Sequence, residues 1–281
     1  MRLKLGRPDL GAYADRFDAP GAHPGSDLTL TWLGVSTLLI DDALARAEIG
    51  ELAAVLPVHT HFDHALDSAV VAARTGACVV GGESAANVAR GQGLAEDRIV
   101  VTEPGVELTF ESFTVTLIES HHCPPDRFPG VISAPLVPPV RASAYKCGEA
   151  WSTLIHHRPS DRRLLIQGSA GFRPGALDGR RAEVVYLGVG QLGVQPAAYI
   201  ERYWEQTVRA VGARRVVLIH WDDFFRPLTA PLRALPYAGD DLDVTMRVLG
   251  RLADADRVAL HLPQLWRRCD PWASPAQRLR R

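Results

Sequence analysis

VHTHFDHALD, residues 58–67, places three histidines and two aspartates directly behind an apolar run. Imidazoles and carboxylates resist burial unless something pairs with them. The fold must therefore bring this segment either to solvent or to a point where its side chains share a partner. In extended chain His59 and His61 project to the same side, roughly 6.6 Å apart along the strand. Two imidazoles so placed converge on one ion about 2.0 to 2.1 Å from each nitrogen. Asp63 and His64 fall where the strand ends and helical spacing begins, so they approach the same place from another direction. A carboxylate at position 63 can bind metal, hold a metal-bound water or cap the helix, and position alone does not choose. A lone histidine is usually exposed or hydrogen-bonded, but three of the chain's ten within six residues, with an acid among them, point to a metal site.

The remaining composition limits what that site can serve. With 281 residues, 47% hydrophobic, 22% charged and a formal net charge of −1, the chain reads as a globular protein able to bury a full core. No apolar stretch reaches the roughly 18 to 20 residues of a membrane helix, and MRLKLGRPDLGAY lacks a signal peptide's apolar segment. The expectation is a cytoplasmic protein with no membrane span. Near-neutral charge argues against broad nucleic-acid binding. Arg267, Arg268, Arg278, Arg280 and Arg281 then read as part of a solvated C-terminal tail, residues 263–281. Cys78, Cys123, Cys147 and Cys269 form no CxxC pair, so reduced thiols are expected. Oligomeric state is left open.

Strand-sized apolar runs recur along the chain. LTLTWLGVSTLLI, 28–40, reads as two strands broken at Gly34, and further runs follow at 53–58, 77–80, 98–101, 113–119, 151–156, 163–167, 183–187, 215–219 and 257–262. Helical spacing appears at 65–75, 84–91, 197–211 and 241–254, with Gly76 and Gly212 at helix C-terminal positions. Strands outnumber helices, and helices lie late or between strand pairs, which favours a mixed α/β sandwich with helices outside. Residues 124–141, PPDRFPGVISAPLVPPVR, can be neither central strand nor helix interior. They read as a lid or as a loop packed on the surface.

EVVYLGVGQLG, 183–193, contains a literal GxGxxG between a strand and a helix, the layout of a dinucleotide site. The next strand's acid, Asp222, lies 29 positions beyond the last glycine, where about 20 is typical. The preferred reading makes this strand, helix and strand the carrier of His220. Asp222 and Asp223 are candidates to orient His220 through its other ring nitrogen. Trp151, Trp204 and Trp221 are expected in the core.

HTHFDH has the HxHxDH pattern of the metallo-β-lactamase superfamily, which the chain resembles over most of its length. LTLTWLGVSTLLID is similar to that family's opening strand pair; VTLIESHHC, LLIQGSAGF and RRVVLIHWDDF follow in the family's order. The resemblance implies an α/β fold, an αββα sandwich of two mixed sheets flanked by helices, in one domain spanning 1–281. It implies that His59 and His61 hold a first metal together with His121 or His122, the strand spacing favouring His122. It assigns Asp63, His64 and His220 to a second metal. The chain departs from the pattern after Gly168, where Ser169 stands in place of an aspartate that bridges two metals. A hydroxyl replaces that carboxylate poorly, so one site is expected to be firm and the second weak or empty. Cys123 is the nearby thiol to compensate, with a buried inert cysteine as its plainer reading. Only sixteen residues separate Asp42 from His59, less than the family's usual flap-bearing segment.

The function this implies is a zinc-dependent hydrolase, with iron or manganese as other candidate metals. Zinc held by three neutral histidines lowers the pKa of a bound water to about 7, and Asp63 is the candidate base. Loss of the bridging acid tilts the expectation toward an ester, lactone or amide carbonyl rather than a phosphodiester. The alternatives are a phosphodiesterase of the same fold and a non-hydrolytic binding or iron-dependent redox member. The expected partner is a small molecule, one whose apolar group the 124–141 segment would line. Arg127, Arg141 and Lys146 are the phosphate-reading candidates.

Overall fold

The structure is a computed structural model describing residues 4–17, 26, 28–42 and 51–273. In chain order its elements are β1 (Leu28–Trp32), β2 (Leu38–Asp42), β3 (Ala54–Val55), α1 (Phe62–Ala65), α2 (Ser68–Thr75), β4 (Cys78–Gly81), α3 (Glu83–Gly91), β5 (Ile99–Val101), β6 (Glu107–Phe110) and β7 (Phe113–Glu119). There follow β8 (Trp151–His157), β9 (Arg162–Gln167), β10 (Val184–Gly188), α4 (Ala197–Trp204), β11 (Arg215–Ile219), α5 (Leu242–Asp256), β12 (Ala259–His261) and β13 (Arg268–Cys269). The central sheet has seven strands in the order β12-β11-β10-β9-β8-β7-β6. Its β6 to β9 half is antiparallel and its β9 to β12 half parallel.

VVYLG and RVVLI are continuous apolar runs because β10 and β11 are buried at every residue, as strands covered on both faces must be. The opposing layer is in two pieces among the described residues: β13-β1-β2, antiparallel, and β3-β4-β5, parallel. Leu28, Leu30, Trp32 and Val80 from these pieces share one core with Leu117, Leu154, Leu165 and Val185 of the large sheet. Trp151, Trp204 and Trp221 are all buried there, as their sequence suggested. On α5 the buried Leu242, Thr245, Met246, Leu249 and Leu252 recur every three or four residues, and the Asp241 carboxylate caps the helix by accepting the Val244 N–H.

Some expectations change. The helix anticipated over 65–75 is two: α1 is a single turn carrying Asp63 and His64, and Asp67 leaves helical geometry to become the N-cap of α2. The helix anticipated over 197–211 is α4 followed by one π-helical turn, Glu205–Arg209. The supposed tail begins inside the fold. Cys269 pairs with Leu30 in the sheet, and buried Arg215 donates to the carbonyls of Pro271 and Ala273. Two residues flanked by charges give no periodic signal, which is why β13 was not legible. Arg278, Arg280 and Arg281 lie outside the described residues, as do positions 43–50, where the shortened flap was anticipated.

The glycine-rich loop after β10 holds a carboxylate of its own chain. Asp240 accepts the N–H groups of Gln191 and Gly193, each at 3.0 Å, and that of Asp241 at 2.8 Å. Burial lifts its carboxyl to about 6. The donors that a pyrophosphate would use are thus engaged, and the glycines have another purpose. A Cβ on Gly190 would come within 2.9 Å of His220 Nδ1, and one on Gly193 would run into the Asp241 backbone. Replacing Asp240 by Ala strands these N–H groups and is expected to lower stability by about 2 to 4 kcal/mol. Urea unfolding measures this, with Asp240→Asn, which keeps one acceptor, falling between.

Candidate metal centre

β3 ends at Val55, and the chain from Leu56 to His61, bent at Val58, His59 and His61, runs beside the segment 147–151. Trp151 N–H donates to Val58 O and Thr60 N–H to Cys147 O, both at 2.8 Å. His59 sits between those two bonds. His61 then starts α1, its carbonyl accepting the N–H groups of His64 and Ala65, and the turn swings Asp63 and His64 back toward His59. His122 arrives three residues beyond β7, and His220 one residue beyond β11. His220 has φ of 60°, a left-handed conformation unusual for a histidine. Its N–H donates to Val35 O at 2.7 Å.

The six side chains assemble as two adjoining triads. The rings of His59, His61 and His122 form a nearly equilateral triangle, with centroids 4.8, 4.9 and 4.6 Å apart. One ligand nitrogen from each lies within 4.8 Å of the others. In the second triad His64 Nε2 and His220 Nε2 are 3.2 Å apart, and Asp63 Oδ2 lies 3.5 and 3.4 Å from them. His59 links the two sets, its ring 4.0 Å from that of His64. His121, the alternative to His122, is exposed and outside both sets.

Partners of the outward ring nitrogens decide which nitrogens face inward. His122 donates from Nδ1 to Cys123 O at 2.7 Å, which leaves Nε2 for the triad. His61 Nε2 lies 3.2 Å from Asp126 Oδ1 and 3.4 Å from Phe128 O, which leaves Nδ1. Burial, reinforced by the neighbouring imidazoles, drives His59 well below the usual histidine range. Burial likewise lowers His122 and takes His64 down to about 3. These rings are neutral, with lone pairs free to bind a cation. Burial works against the charge of Asp63, but His64 and His220 outweigh it and hold the carboxyl well below its usual range. Burial also opposes the His220 cation, yet Asp63 prevails and the ring's pKa rises.

His59 is 1% exposed, and neither of its ring nitrogens has a hydrogen-bond partner; His220 Nδ1 has none either. Orphaned polar atoms of this kind cost roughly 1 to 3 kcal/mol each. Three neutral imidazoles facing one point are the donor set of a borderline divalent ion such as zinc, so the residues fit a metal.

Several neighbours act otherwise than expected. Asp222 does not orient the His220 ring: both its oxygens accept the Val35 N–H, at 3.0 and 3.1 Å, and it thereby fixes the turn whose carbonyl holds the His220 backbone. Asp223 is paired with Arg7 instead. Ser169 Oγ accepts the Cys123 N–H at 3.1 Å, so the residue at the bridging position steadies the chain behind His122. Burial pushes the Cys123 thiol up to about 12, the state of an inert cysteine rather than a thiolate ligand.

The Pro-rich segment is a packed strap. Phe128 O and Gly130 O accept the N–H groups of Cys147 and Gly148, Leu136 N–H donates to Asn87 O, and Ile132 is buried against Val88 and Tyr145. Arg127 and Arg141 lie exposed along it. Asp126, which sequence reasoning missed, is the strap's contribution to the site. Its Oδ1 accepts the Phe128 N–H at 3.0 Å beside His61 Nε2, and it lies with His61 and Cys147 in a third group of candidate ligands. The one available signal was an acid four positions after His122, and it was masked by the surrounding prolines.

No protein-family profile and no curated protein matches the chain. Solved structures do. The metallo hydrolase Igni18 of the archaeon Ignicoccus hospitalis superposes with a TM-score of 0.52 at 15% identity, over 85% of this chain and 96% of its own. The metallo-β-lactamase fold protein YhfI of Bacillus subtilis gives 0.52 at 12%, over 86% and 98%. The diiron β-hydroxylase CmlA of Streptomyces venezuelae gives 0.53 at 12%, over 86% of this chain and 53% of CmlA. The chain has the metallo-β-lactamase fold, with candidate metal-ligand clusters at its site.

The contact to Asp126 predicts a measurable effect on metal affinity. Asp126→Ala should weaken zinc binding about 10- to 100-fold in competition with a chromogenic chelator, and Asp126→Asn should retain most of it. Unchanged affinity in the alanine variant would contradict the assigned orientation of His61.

Proposed function

From this fold and its two triads, we propose that the protein is a zinc-dependent hydrolase of ester, lactone or amide carbonyls. The observation carrying the proposal is the convergence of His59, His61 and His122 beside an ionised Asp63, with both nitrogens of buried His59 unpartnered. His59 Nε2 or Nδ1, His61 Nδ1 and His122 Nε2 would hold the first ion; Asp63, His64 and His220 a second, weaker one. A bound zinc supplies a Lewis acid that polarises the carbonyl and acidifies water.

The protein's own groups do the rest. Asp63 is ionised and fixed between His64 and His220, so it can accept a hydrogen bond from the attacking water and orient it. As the water oxygen bonds to the carbonyl carbon, Asp63 takes the proton, then returns it to the leaving oxygen or nitrogen as that bond breaks. His220, whose proton Asp63 stabilises, keeps the carboxylate oriented throughout. The Gly34–Thr37 turn is anchored beside the site: Ser36 Oγ donates to Gly168 O at 2.9 Å, and the Val35 N–H is held by Asp222. Positioning and a preset charge are what such a site contributes.

A second reading rests on the other triad. Two histidines and one carboxylate, as in His64, His220 and Asp63, are also the ligand set of non-haem iron oxygenases. A panel of p-nitrophenyl esters, lactones, β-lactams and bis(p-nitrophenyl) phosphate, run with zinc-loaded protein, separates these chemistries. The hydrolase proposal expects turnover of at least one carbonyl substrate, falling about 10²- to 10⁴-fold in Asp63→Ala. Turnover confined to the phosphodiester would reassign the substrate class. No hydrolysis, together with oxygen consumption by the Fe(II)-loaded protein, would favour the oxidase.

A further inference from the structure

A cavity of about 630 Å³ opens beside the second triad, with Asp63 and His64 among its lining residues. Pockets of this size hold drug-sized molecules. Among the described residues its walls are Leu38 and Ile40 of β2, Leu56 of the chain leading to His59, and Phe62 of α1; Ile155 and Ile166 of the central sheet form its floor. The 124–141 strap contributes nothing to it, contrary to the sequence-based expectation of a pocket lined by that segment. Leu66 and Val71 stand at the mouth, 45% and 36% exposed. Among the described residues no lysine or arginine lines the cavity; its charged groups are the carboxylates of Asp63 and Asp67, beside a neutral His64 ring. Such a lining repels a phosphate or a free carboxylate and favours neutral hydrocarbon.

We propose that this cavity binds the hydrocarbon portion of a neutral acyl ester or lactone, with the carbonyl beside Asp63 and His64. The proposal rests on the hydrolase reading for the reacting bond; the cavity itself stands on geometry. Hydrocarbon fits because the lining among the described residues is mostly apolar and includes the candidate catalytic carboxylate, so a chain held there stays next to the reacting carbon. Each methylene moved from water to such a lining strengthens binding about fourfold. Hydrolysis then adds the water oxygen to the acyl carbon, breaks the acyl C–O bond and protonates the leaving oxygen, and the free carboxylate that results is disfavoured beside Asp63. Charge repulsion would help the product leave.

Two measurements test this separately from the reaction. In the first, 2-alkanones of three to eleven carbons are titrated into metal-free protein by calorimetry. In the second, p-nitrophenyl esters from acetate to decanoate are assayed with zinc-loaded protein. The expected result is affinity, and kcat/KM for the esters, rising about fifteenfold per two carbons until the cavity is filled. Ala54 also lines the cavity, and Ala54→Trp, whose side chain would fill it, should flatten both series. Val71→Glu at the exposed mouth should flatten them without threatening the fold. Ketone binding that rises with chain length while every ester is inert would uphold the cavity and overturn the hydrolase reading. Esters hydrolysed with no dependence on chain length, or series that neither variant alters, would overturn the cavity proposal. Failure of both series overturns both.

Discussion

Two backbone hydrogen bonds bracket His59, and the rest of the site depends on them. Trp151 N–H to Val58 O and Thr60 N–H to Cys147 O tie the histidine-bearing segment to the chain entering β8. Once that segment is fixed, His59 and His61 are spaced for one ion, and α1 must turn Asp63 and His64 toward them. The same stretch is gripped from outside, because Cys147 N–H donates to Phe128 O and the strap's Asp126 reaches His61. A buried imidazole gains specificity only when its outward nitrogen is assigned, and here the strap makes that assignment.

The electrostatics follow from burial. Five histidines packed beside one carboxylate cannot all be protonated, so His59, His64 and His122 stay neutral while Asp63 and His220 carry the charge. A fold that buries neutral imidazoles beside an ionised acid sets free lone pairs and a negative charge side by side. Gly190 and the left-handed His220 belong to the same arrangement. The glycine leaves room for the ring, and the backbone bond to Val35 holds a conformation that costs energy elsewhere.

Much of this was legible in the sequence, because strands buried on both faces and helices with one apolar face leave strong periodic signals. β7, β8, β10 and β11 fall within a residue of where apolar runs placed them, and Gly76 and Gly212 end helices with positive φ. His59, His61 and His122 lie close enough to share a ligand, with Asp63, His64 and His220 adjoining them and His121 outside. What stayed hidden depends on contacts between distant segments. Asp222 looked like a partner for His220 because of its proximity in sequence, yet the N–H of Val35, far away in the chain, claims both its oxygens. The GxGxxG pattern was ambiguous for a related reason: close backbone approach requires glycine whether the approaching group is a phosphate or the protein's own Asp240 and His220.

In the proposed reading, Ser169 is what separates this centre from one with two equal metals. Its hydroxyl accepts the Cys123 N–H, so no carboxylate joins the triads at that position. Zinc titration of the metal-free protein, followed by calorimetry, tests the central claim most directly. The account predicts one tight site, lost in a His59→Ala/His61→Ala double variant, and one weaker site that Ser169→Asp strengthens. Zinc binding that survives the double variant, or two sites of equal affinity in the unaltered protein, would contradict it.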